Sequence, residues 1–367
     1  MRKSLWLIVA VLVVVLAGLI IAKGQSVEPS KSLEIGVLLP LSSNFAWWGE
    51  NIQQSIKAAQ ANGYGSNFKF VYADTKCNAK DAVSSLQSLM SLHPSMHIFI
   101  VGCDDDLKAV EPFLNNKTDL AFMVGLSDKS LYEKGFPTVN LAVKTESQAT
   151  MAGKFAFEKL GVKDLGILVS TTGIGNTLNI TLKNYFSSIG GRTTTETMKY
   201  NEPNPETSIL KILQARPDAI YIENDIPNLS TTLKRLDQLG YKGHKILFYG
   251  AHVQALIDTA GSAAEGAYVP WAISDETNPA RIRFLEAFKK NYSNDPFITA
   301  YFVYDGIILL DEANKACKGD ARCIEEYFYD KSDFEGILGK VRYQLNGEVK
   351  RSFYYHQVKD GKFVEVK

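Results

Sequence analysis

The stretch LEIGVLLPLSSNFAWWGENIQQSIKAA, residues 33–59, decides the fold class of this chain. It begins with an apolar run typical of a buried strand, continues through the loop SSNFAWWG, and takes on the apolar spacing of a helix over residues 50–62. Strand patterns over residues 68–73 and 96–102 follow, with a helix pattern over 79–92 between them. This alternation predicts a parallel sheet, which binds its ligands at the carboxyl ends of the strands.

A second alternating segment starts after residue 140. Its predicted helices and strands succeed one another over residues 146–160, 164–170, 178–189, 193–200, 207–215, 218–223, 229–239 and 245–249. We therefore predict two Rossmann-like βαβ lobes, and a cleft between them is the default binding site because pockets prefer domain interfaces. The strand-rich end of the chain, residues 339–366, has a hairpin signal at Asn346-Gly347.

Composition and motifs argue against two broad classes of protein. Forty Lys and Arg residues balance forty Asp and Glu residues, so the chain lacks the basic surface of a nucleic-acid-binding protein. The sequence has no G-x-S-x-G, H-E-x-x-H, Walker A or complete G-x-G-x-x-G motif. None of its five histidines forms a metal-binding pair with another on one helix. We therefore expect no enzyme, no resident metal and no other cofactor.

The N-terminus predicts export. Arg2 and Lys3 precede an uncharged apolar run that ends at Ala22, and residues 23–32 follow as a polar linker. The run is near the minimum length for spanning a bilayer and slightly long for the core of a signal peptide. Residues 1–22 are therefore either an uncleaved membrane anchor or a cleaved signal. Basic residues before the run place the rest of the chain outside the cytoplasm.

The four cysteines of the chain fit an oxidising compartment. Cys317 and Cys323 enclose a short loop, and Cys77 and Cys103 each follow a strand at the same end of the predicted sheet. Four cysteines allow three pairings, which spacing alone does not settle. A metal site is the rival interpretation, and the lack of a histidine near either pair in the sequence speaks against it.

Residues 35–59 resemble the opening of type I periplasmic solute-binding proteins of the leucine/isoleucine/valine-binding family. That opening has an apolar strand, a proline, a small polar loop, an Ala-x-x-Gly step and a helix. Further segments resemble family segments in the family's order: DTKCNAKDAVSSLQSLM, PDAIYI, LGYKGHKILFYG, AAEGAYV and AYFVYDGIILL. The family also has a cysteine pair placed as Cys77 and Cys103 are. The resemblance covers the chain from residue 33 to its C-terminus.

The resemblance implies an α/β fold of two lobes joined by a multi-strand hinge that closes on a small molecule. The second lobe of the family is an insertion into the first. The first lobe is then expected over residues 33–141 plus 272–344, and the second over 142–271 plus 345–367. The resemblance also implies the substrate-binding component of an ABC importer, a monomer that works with permease and ATPase subunits.

The resemblance further implies which residues contact the ligand. The expected contacts are Trp48, Asp104, Gly125, Ser127, Asp128, Ile174, Asp225, His252 and Tyr304. Trp48 and Tyr304 match aromatic residues of the family's cleft. Asp104 replaces the small hydroxyl residue that holds an amino acid's α-carboxylate. Ala251 and His252 stand where the family has an acid that binds the ammonium group.

These departures from the family indicate a ligand other than a plain α-amino acid. A carboxylate ligand would be repelled by Asp104, so we expect a small polar ligand that is amino-acid-like, an amide, a polyol or a cationic compound. Asp104 and Asp128 together with Trp48 and Tyr304 favour a cation, because aromatic faces attract one. The alternative to transport is a ligand-sensing ectodomain on the same fold that acts through a partner membrane protein.

Overall fold

The computed structural model of the chain describes residues 32–133, 135–200, 204–272, 277–290, 292–331 and 334–366. The predicted anchor or signal, residues 1–22, lies outside the described residues. Among the helices of the described ranges, none has both the length and the apolar character that crossing a bilayer requires. Contacts divide the chain into Met1–Leu33 and Glu34–Lys367, and the second of these units contains the lobes.

Strands and helices alternate along most of this unit. The first group is β1 (Leu33–Leu39), α1 (Ala46–Ala61), β2 (Phe68–Asp74), α2 (Ala79–Leu92), β3 (Ile98–Val101), α3 (Asp104–Val110), β4 (Leu120–Met123), α4 (Ser130–Glu133) and β5 (Thr138–Asn140). The second is α5 (Thr145–Lys154), β6 (Asp164–Ser170), α6 (Gly173–Ser188), β7 (Arg192–Met198), α7 (Glu206–Gln214), β8 (Ala219–Ile222), α8 (Ile226–Gln238), β9 (His244–Leu247), α9 (Gln254–Ala260) and β10 (Tyr268–Trp271). The last is α10 (Pro279–Lys289), α11 (Ile298–Cys317), α12 (Ala321–Asp330), β11 (Phe334–Gly336), β12 (Gly339–Tyr343), β13 (Val349–Arg351), β14 (Tyr354–Lys359) and β15 (Lys362–Glu365).

Within the described ranges, the strands form two large sheets and a small one. The first sheet has five strands in the order β2-β1-β3-β4-β5, and the pairs from β1 to β5 are parallel. The second has seven strands in the order β15-β14-β10-β9-β8-β6-β7; β14 pairs antiparallel with both β10 and β15, and the other pairs are parallel. The two predicted βαβ lobes are therefore confirmed.

The second sheet is buried on both faces, as the nearly continuous apolar run of β6 requires. Leu168 packs with helices α7, α8 and α9 on one face, whereas Ile167 and Val169 pack with α5 and α6 on the other. Successive side chains of a strand point to opposite faces, so one short strand serves two hydrophobic clusters.

Over the described ranges, the chain passes between the two lobes three times. It leaves the first sheet after β5, leaves the second after β10, and returns to the second between β13 and β14. The predicted hairpin at Asn346-Gly347 joins β12 to β13, with Tyr343 opposite Val349 and a Gly347 φ of +73°. Because β13 pairs with β12, the third passage comes after Arg351.

Both disulfides join the cysteines that are nearest along the chain. Cys77 pairs with Cys103, and Cys317 pairs with Cys323, with Cα atoms 5.6 and 5.5 Å apart. The first bond ties the loop after β2 to the residue before α3, at the carboxyl edge of the first sheet. Of the three pairings left open by the sequence, this is the one that strand order favours.

Candidate functional site

Trp48 lies across the carboxyl ends of β3 and β4. A Cβ added to Gly102, next to β3, would lie 3.4 Å from Cζ3 of the indole ring, and one added to Gly125, beyond β4, would lie 3.0 Å from Cη2. The two glycines therefore give the ring the space to approach both strand ends. The indole Nε1–H donates to Thr299 Oγ1 at 2.9 Å, which fixes the orientation of the ring. Its neighbour Trp47 points elsewhere, 49% exposed and edge-to-face with Phe297.

Two predicted site residues, Asp104 and Asp128, meet at the same edge through a lysine. Asp104 starts α3, and Asp128 lies in the loop between β4 and α4. Lys108 Nζ donates to Asp104 Oδ2 at 2.5 Å and to Asp128 Oδ2 at 2.7 Å. The exposed fractions of these side chains are 11% for Asp104, 21% for Asp128 and 29% for Lys108. We call these three residues the lysine-bridged acid pair.

The two carboxyl groups of this pair have different proton affinities. Burial raises the pKa of Asp104 to about 6, and the hydrogen bond and charge of Lys108 offset only part of that effect. Burial alone would also raise the pKa of Asp128, but hydrogen bonds from Lys108 and Ser130 outweigh it and hold that pKa below its usual value. The pKa of Lys108 is raised, because its two acidic partners outweigh the effect of its own burial. Lys108 is thus charged at neutral pH.

Ser127 is brought to the same loop, but its hydroxyl is already engaged. The Ser127 side chain is fully buried, and its Oγ shares a 2.6 Å hydrogen bond with the hydroxyl of Tyr132. Its backbone carbonyl accepts from the backbone N–H of Thr145 at 3.0 Å. Ser127 therefore links the first lobe to the start of α5, where the chain first passes to the second sheet.

Two predicted contacts of the second lobe lie at starts of helices that follow strands. Ile174 is in the first turn of α6 and packs, partly buried, against the cluster beneath that helix. Asp225 is the N-cap of α8, and its Oδ1 accepts from the backbone N–H of Asn228 at 2.8 Å. An aspartate at this position satisfies a backbone donor that the helix itself leaves unpaired.

His252 lies inside an aromatic stack. Its ring stacks on Trp271 and on Phe363, with ring centroids 3.9 Å apart in each case. Its Nε2 shares a 3.0 Å hydrogen bond with Nδ1 of His356. Burial, with the charge of His356 as the next cause, lowers the pKa of His252 to about 3. His252 is therefore neutral at physiological pH, and both faces of its ring pack within the second lobe.

Tyr304 is not brought together with Trp48. Its side chain is 1% exposed, and its ring packs against Tyr64 and Phe284. Its hydroxyl accepts from Asn62 Nδ2 at 2.8 Å. Asn62 caps the C-terminus of α1, roughly 20 Å along the helix from Trp48 at 1.5 Å per residue. Tyr304 thus belongs to the core beside α1.

Sequence reasoning missed three features at the carboxyl edges of the two large sheets. Lys108 lies four residues after Asp104 on a helix, a spacing that by itself predicts an ion pair. Glu223 directly follows β8, is 5% exposed, and accepts from the Ser170 backbone N–H at 2.9 Å. Phe45, in the loop before α1, stacks on Tyr200, after β7, at 5.5 Å. This last pair joins the two lobes, and no sequence pattern signals it.

Comparisons with known proteins agree with this fold. A search of curated proteins found no match. The sequence model of a family described as "Periplasmic binding protein" matches residues 32–362. The leucine binding protein LivK of Thermotoga maritima is 20% identical with a TM-score of 0.80, over 91% of this chain and 98% of that chain. LivJ of Streptococcus pneumoniae, solved with isoleucine, is 17% identical with a TM-score of 0.78, over 92% of this chain and 99% of that chain. A solute binding protein of a Rhodopseudomonas palustris ABC transporter, solved with 4-hydroxybenzoate, is 20% identical with a TM-score of 0.81, over 91% of this chain and 95% of that chain.

The structural likenesses, at 20% identity or less, establish the fold. The match to the family is of a different kind, since it is a match of the sequence itself and covers residues 32–362. This chain belongs to the periplasmic binding protein family.

Proposed function

We propose that this chain is the solute-binding protein of an ABC importer, that it works outside the cytoplasm, and that it captures a small polar ligand between its lobes. The observation that carries this proposal is Trp48, whose half-buried ring lies across Gly102 and Gly125 at two neighbouring strand ends. The carboxyl edge of a parallel sheet is where ligands bind in such folds. A fixed aromatic ring there offers an apolar face to a ligand.

Contacts between the lobes support capture by hinge closure. Phe45 stacks on Tyr200, and a Cβ added to Gly250 would lie 2.9 Å from Cζ of Phe297. Each contact joins a residue beside the second sheet to one beside α1 or α11. Three chain passages connecting two lobes suit a hinge, which needs few residues to absorb the change. We infer that Ile174 and Asp225 approach the ligand from the second lobe.

The ligand that we propose is small and polar: an amino-acid-like compound, an amide or a cation. LivK is a leucine binding protein, LivJ was solved with isoleucine and the Rhodopseudomonas protein with 4-hydroxybenzoate, so this fold accepts different ligand classes. In this chain Asp104 and Asp128 oppose a carboxylate at the first lobe. Lys108 already compensates part of their charge, so an uncharged amide fits better than the cation that the two acids alone suggest.

The remaining parts of the proposal follow from this role. We infer that the chain binds without catalysis, works as a monomer with permease and ATPase subunits, and is held at the membrane or exported by residues 1–22. The lobe limits that we propose are 33–141 plus 272–344 and 142–271 plus 345–367.

Native mass spectrometry of the chain, purified gently from its own cells, tests the proposal. We expect a small molecule that co-purifies at one copy per chain and is released on denaturation. Trp48→Ala should lower the ligand-bound fraction, whereas Trp47→Ala, which changes the exposed neighbour, should leave it unchanged. An empty wild-type protein with no thermal shift across a broad panel of metabolites would contradict a role in solute capture.

A further inference from the structure

The ammonium group of Lys108 lies between the two acids of the lysine-bridged acid pair, in the position that the cationic group of a ligand would take. Lys108 Nζ lies 2.5 Å from a carboxylate oxygen of Asp104 and 2.7 Å from one of Asp128. The two acids follow different strands, so the lysine bridges two strand ends at the edge where Trp48 lies. A lysine has three N–H donors, and the described residues accept from two of them here.

The two acids depend on Lys108 to different degrees. Asp128 Oδ1 also accepts from the backbone N–H of Ser130 at 2.8 Å, so its charge has support from the loop. Asp104 Oδ1 is buried and has no hydrogen-bond partner within the part of the chain that the structure describes. Lys108 is thus the main compensation for the charge of Asp104. A buried carboxylate that loses its counter-ion is costly, so it either takes up a proton or needs another cation beside it.

We propose that Lys108 sets the charge selectivity of the interlobe cleft, because it holds the place between Asp104 and Asp128 that the cationic group of a ligand would otherwise take. This inference rests on the proposed function. A tethered ammonium group is always present at the site, so a free cation must displace it, whereas an uncharged polar group need not. The third N–H of the ammonium group suits the carbonyl oxygen of an amide ligand.

Three probes of nearly equal shape isolate charge from size: benzamide, benzamidinium and benzoate. Each has a ring that can pack on Trp48, and they differ in the charge of one group. Binding is measured by isothermal titration calorimetry at pH 7.5 on wild-type protein and on Lys108→Met, which keeps the aliphatic stem and removes the charge. We expect the wild type to prefer benzamide, and K108M to shift the preference toward benzamidinium by at least about tenfold.

Further variants make the result specific to the acid pair. Lys80→Met removes an exposed lysine at the start of α2 and should leave the preference of the wild type unchanged. The triple variant D104N/D128N/K108M should lose the gain in benzamidinium binding, because both carboxylates that Lys108 compensates are gone. Lys108→Gln provides a polar, uncharged replacement in case the methionine variant does not fold.

Each outcome decides the proposal. Three results would overturn the selectivity proposal. The wild type could prefer benzamidinium, wild type and K108M could show the same preference, or K108M could bind none of the probes. Loss of the fold in both K108M and K108Q, seen by circular dichroism, would give Lys108 a structural role and overturn it as well. None of these results affects a ligand that co-purifies with the wild type, so failure of the selectivity proposal is distinct from failure of the proposed function.

Discussion

A buried carboxyl group beside the first disulfide gives the sharpest test of the physical reasoning. Asp106, in the first turn of α3, is fully buried, and neither of its oxygens has a well-formed hydrogen bond within the described ranges. One of these oxygens and the two sulfur atoms of Cys77 and Cys103 lie within 4.8 Å of one another. The perturbation is Asp106→Asn, which keeps the shape of the side chain and removes its ability to ionise.

The size and sign of the effect follow from proton linkage. Burial raises the pKa of Asp106 from its usual 3.8 to about 7, while the nearby Thr75 hydroxyl opposes the shift and the charges of Asp105, Asp81 and Asp74 add to it. The folded state therefore holds this proton more tightly than the unfolded state does. Stability is lost as the pH rises from about 4 to about 7, and the total loss is about 4 kcal/mol.

The variant lacks this loss, so its advantage over the wild type should grow with pH. Between pH 5 and pH 8 the difference in the free energy of unfolding should widen by about 2.5 kcal/mol, since part of the loss has already occurred at pH 5. Urea unfolding followed by tryptophan fluorescence, with the disulfides intact, measures it at each pH. Asp105→Asn, which changes the exposed neighbour, should alter stability by less than about 0.5 kcal/mol at either pH. A difference between D106N and wild type that stays constant or narrows toward pH 8 would refute the reasoning.

Two further predictions concern a buried ion pair of helix α11 and the disulfides. Arg351 and Asp305 form an ion pair at 3.1 Å with both side chains fully buried. In urea unfolding, Arg351→Met should lower the free energy of unfolding by about 3 to 5 kcal/mol, and the double variant with Asp305→Asn should lower it by less. An equal or larger loss in the double variant would contradict this. The disulfides close loops with sequence separations of 26 and 6 residues. Replacing Cys77 and Cys103 by serine should therefore lower the free energy of unfolding by about 3.5 kcal/mol, and replacing Cys317 and Cys323 by about 2 kcal/mol. The reverse order in the same assay would contradict the loop-entropy argument.

Much of the fold could be predicted from local pattern. The pattern begins with the apolar run of β1, the loop through Trp48 and the helix after it. The same order of strand, loop and helix then recurs along the chain, and this alternation is compatible with few topologies. The hairpin at Asn346-Gly347 is predictable from its turn residues. A tight turn between two antiparallel strands needs a residue with positive φ, and glycine supplies it. Such signals lie within a few residues of one another, so a single sequence carries them.

Tyr304 shows where local pattern stops. Helix α11 is buried on nearly all sides, so its apolar residues do not form one stripe, and the sequence pattern provides no direction for any one of them. Thr299, at the start of the helix, reaches Trp48, whereas Tyr304, five positions later, reaches the far end of α1. The identity of the residue that faces the cleft thus depends on how two helices cross. A family resemblance names the position but does not fix the crossing.

The charge of the site depends in the same way on tertiary structure. In the sequence alone, Asp104 and Asp128 are two negative charges near the carboxyl edge of the first sheet. That arrangement favours a cationic ligand. The ion pair between Lys108 and Asp104 follows from their spacing on a helix. The ion pair between Lys108 and Asp128 exists only because β3 and β4 are neighbours in the sheet. With Lys108 counted, the three groups carry one net negative charge when Asp104 is ionised and none when it is protonated. Since burial raises the pKa of Asp104 to about 6, this change in net charge falls just below neutral pH. In the selectivity that we propose, the choice of ligand is governed by Lys108, a residue that a count of acids along the sequence leaves out.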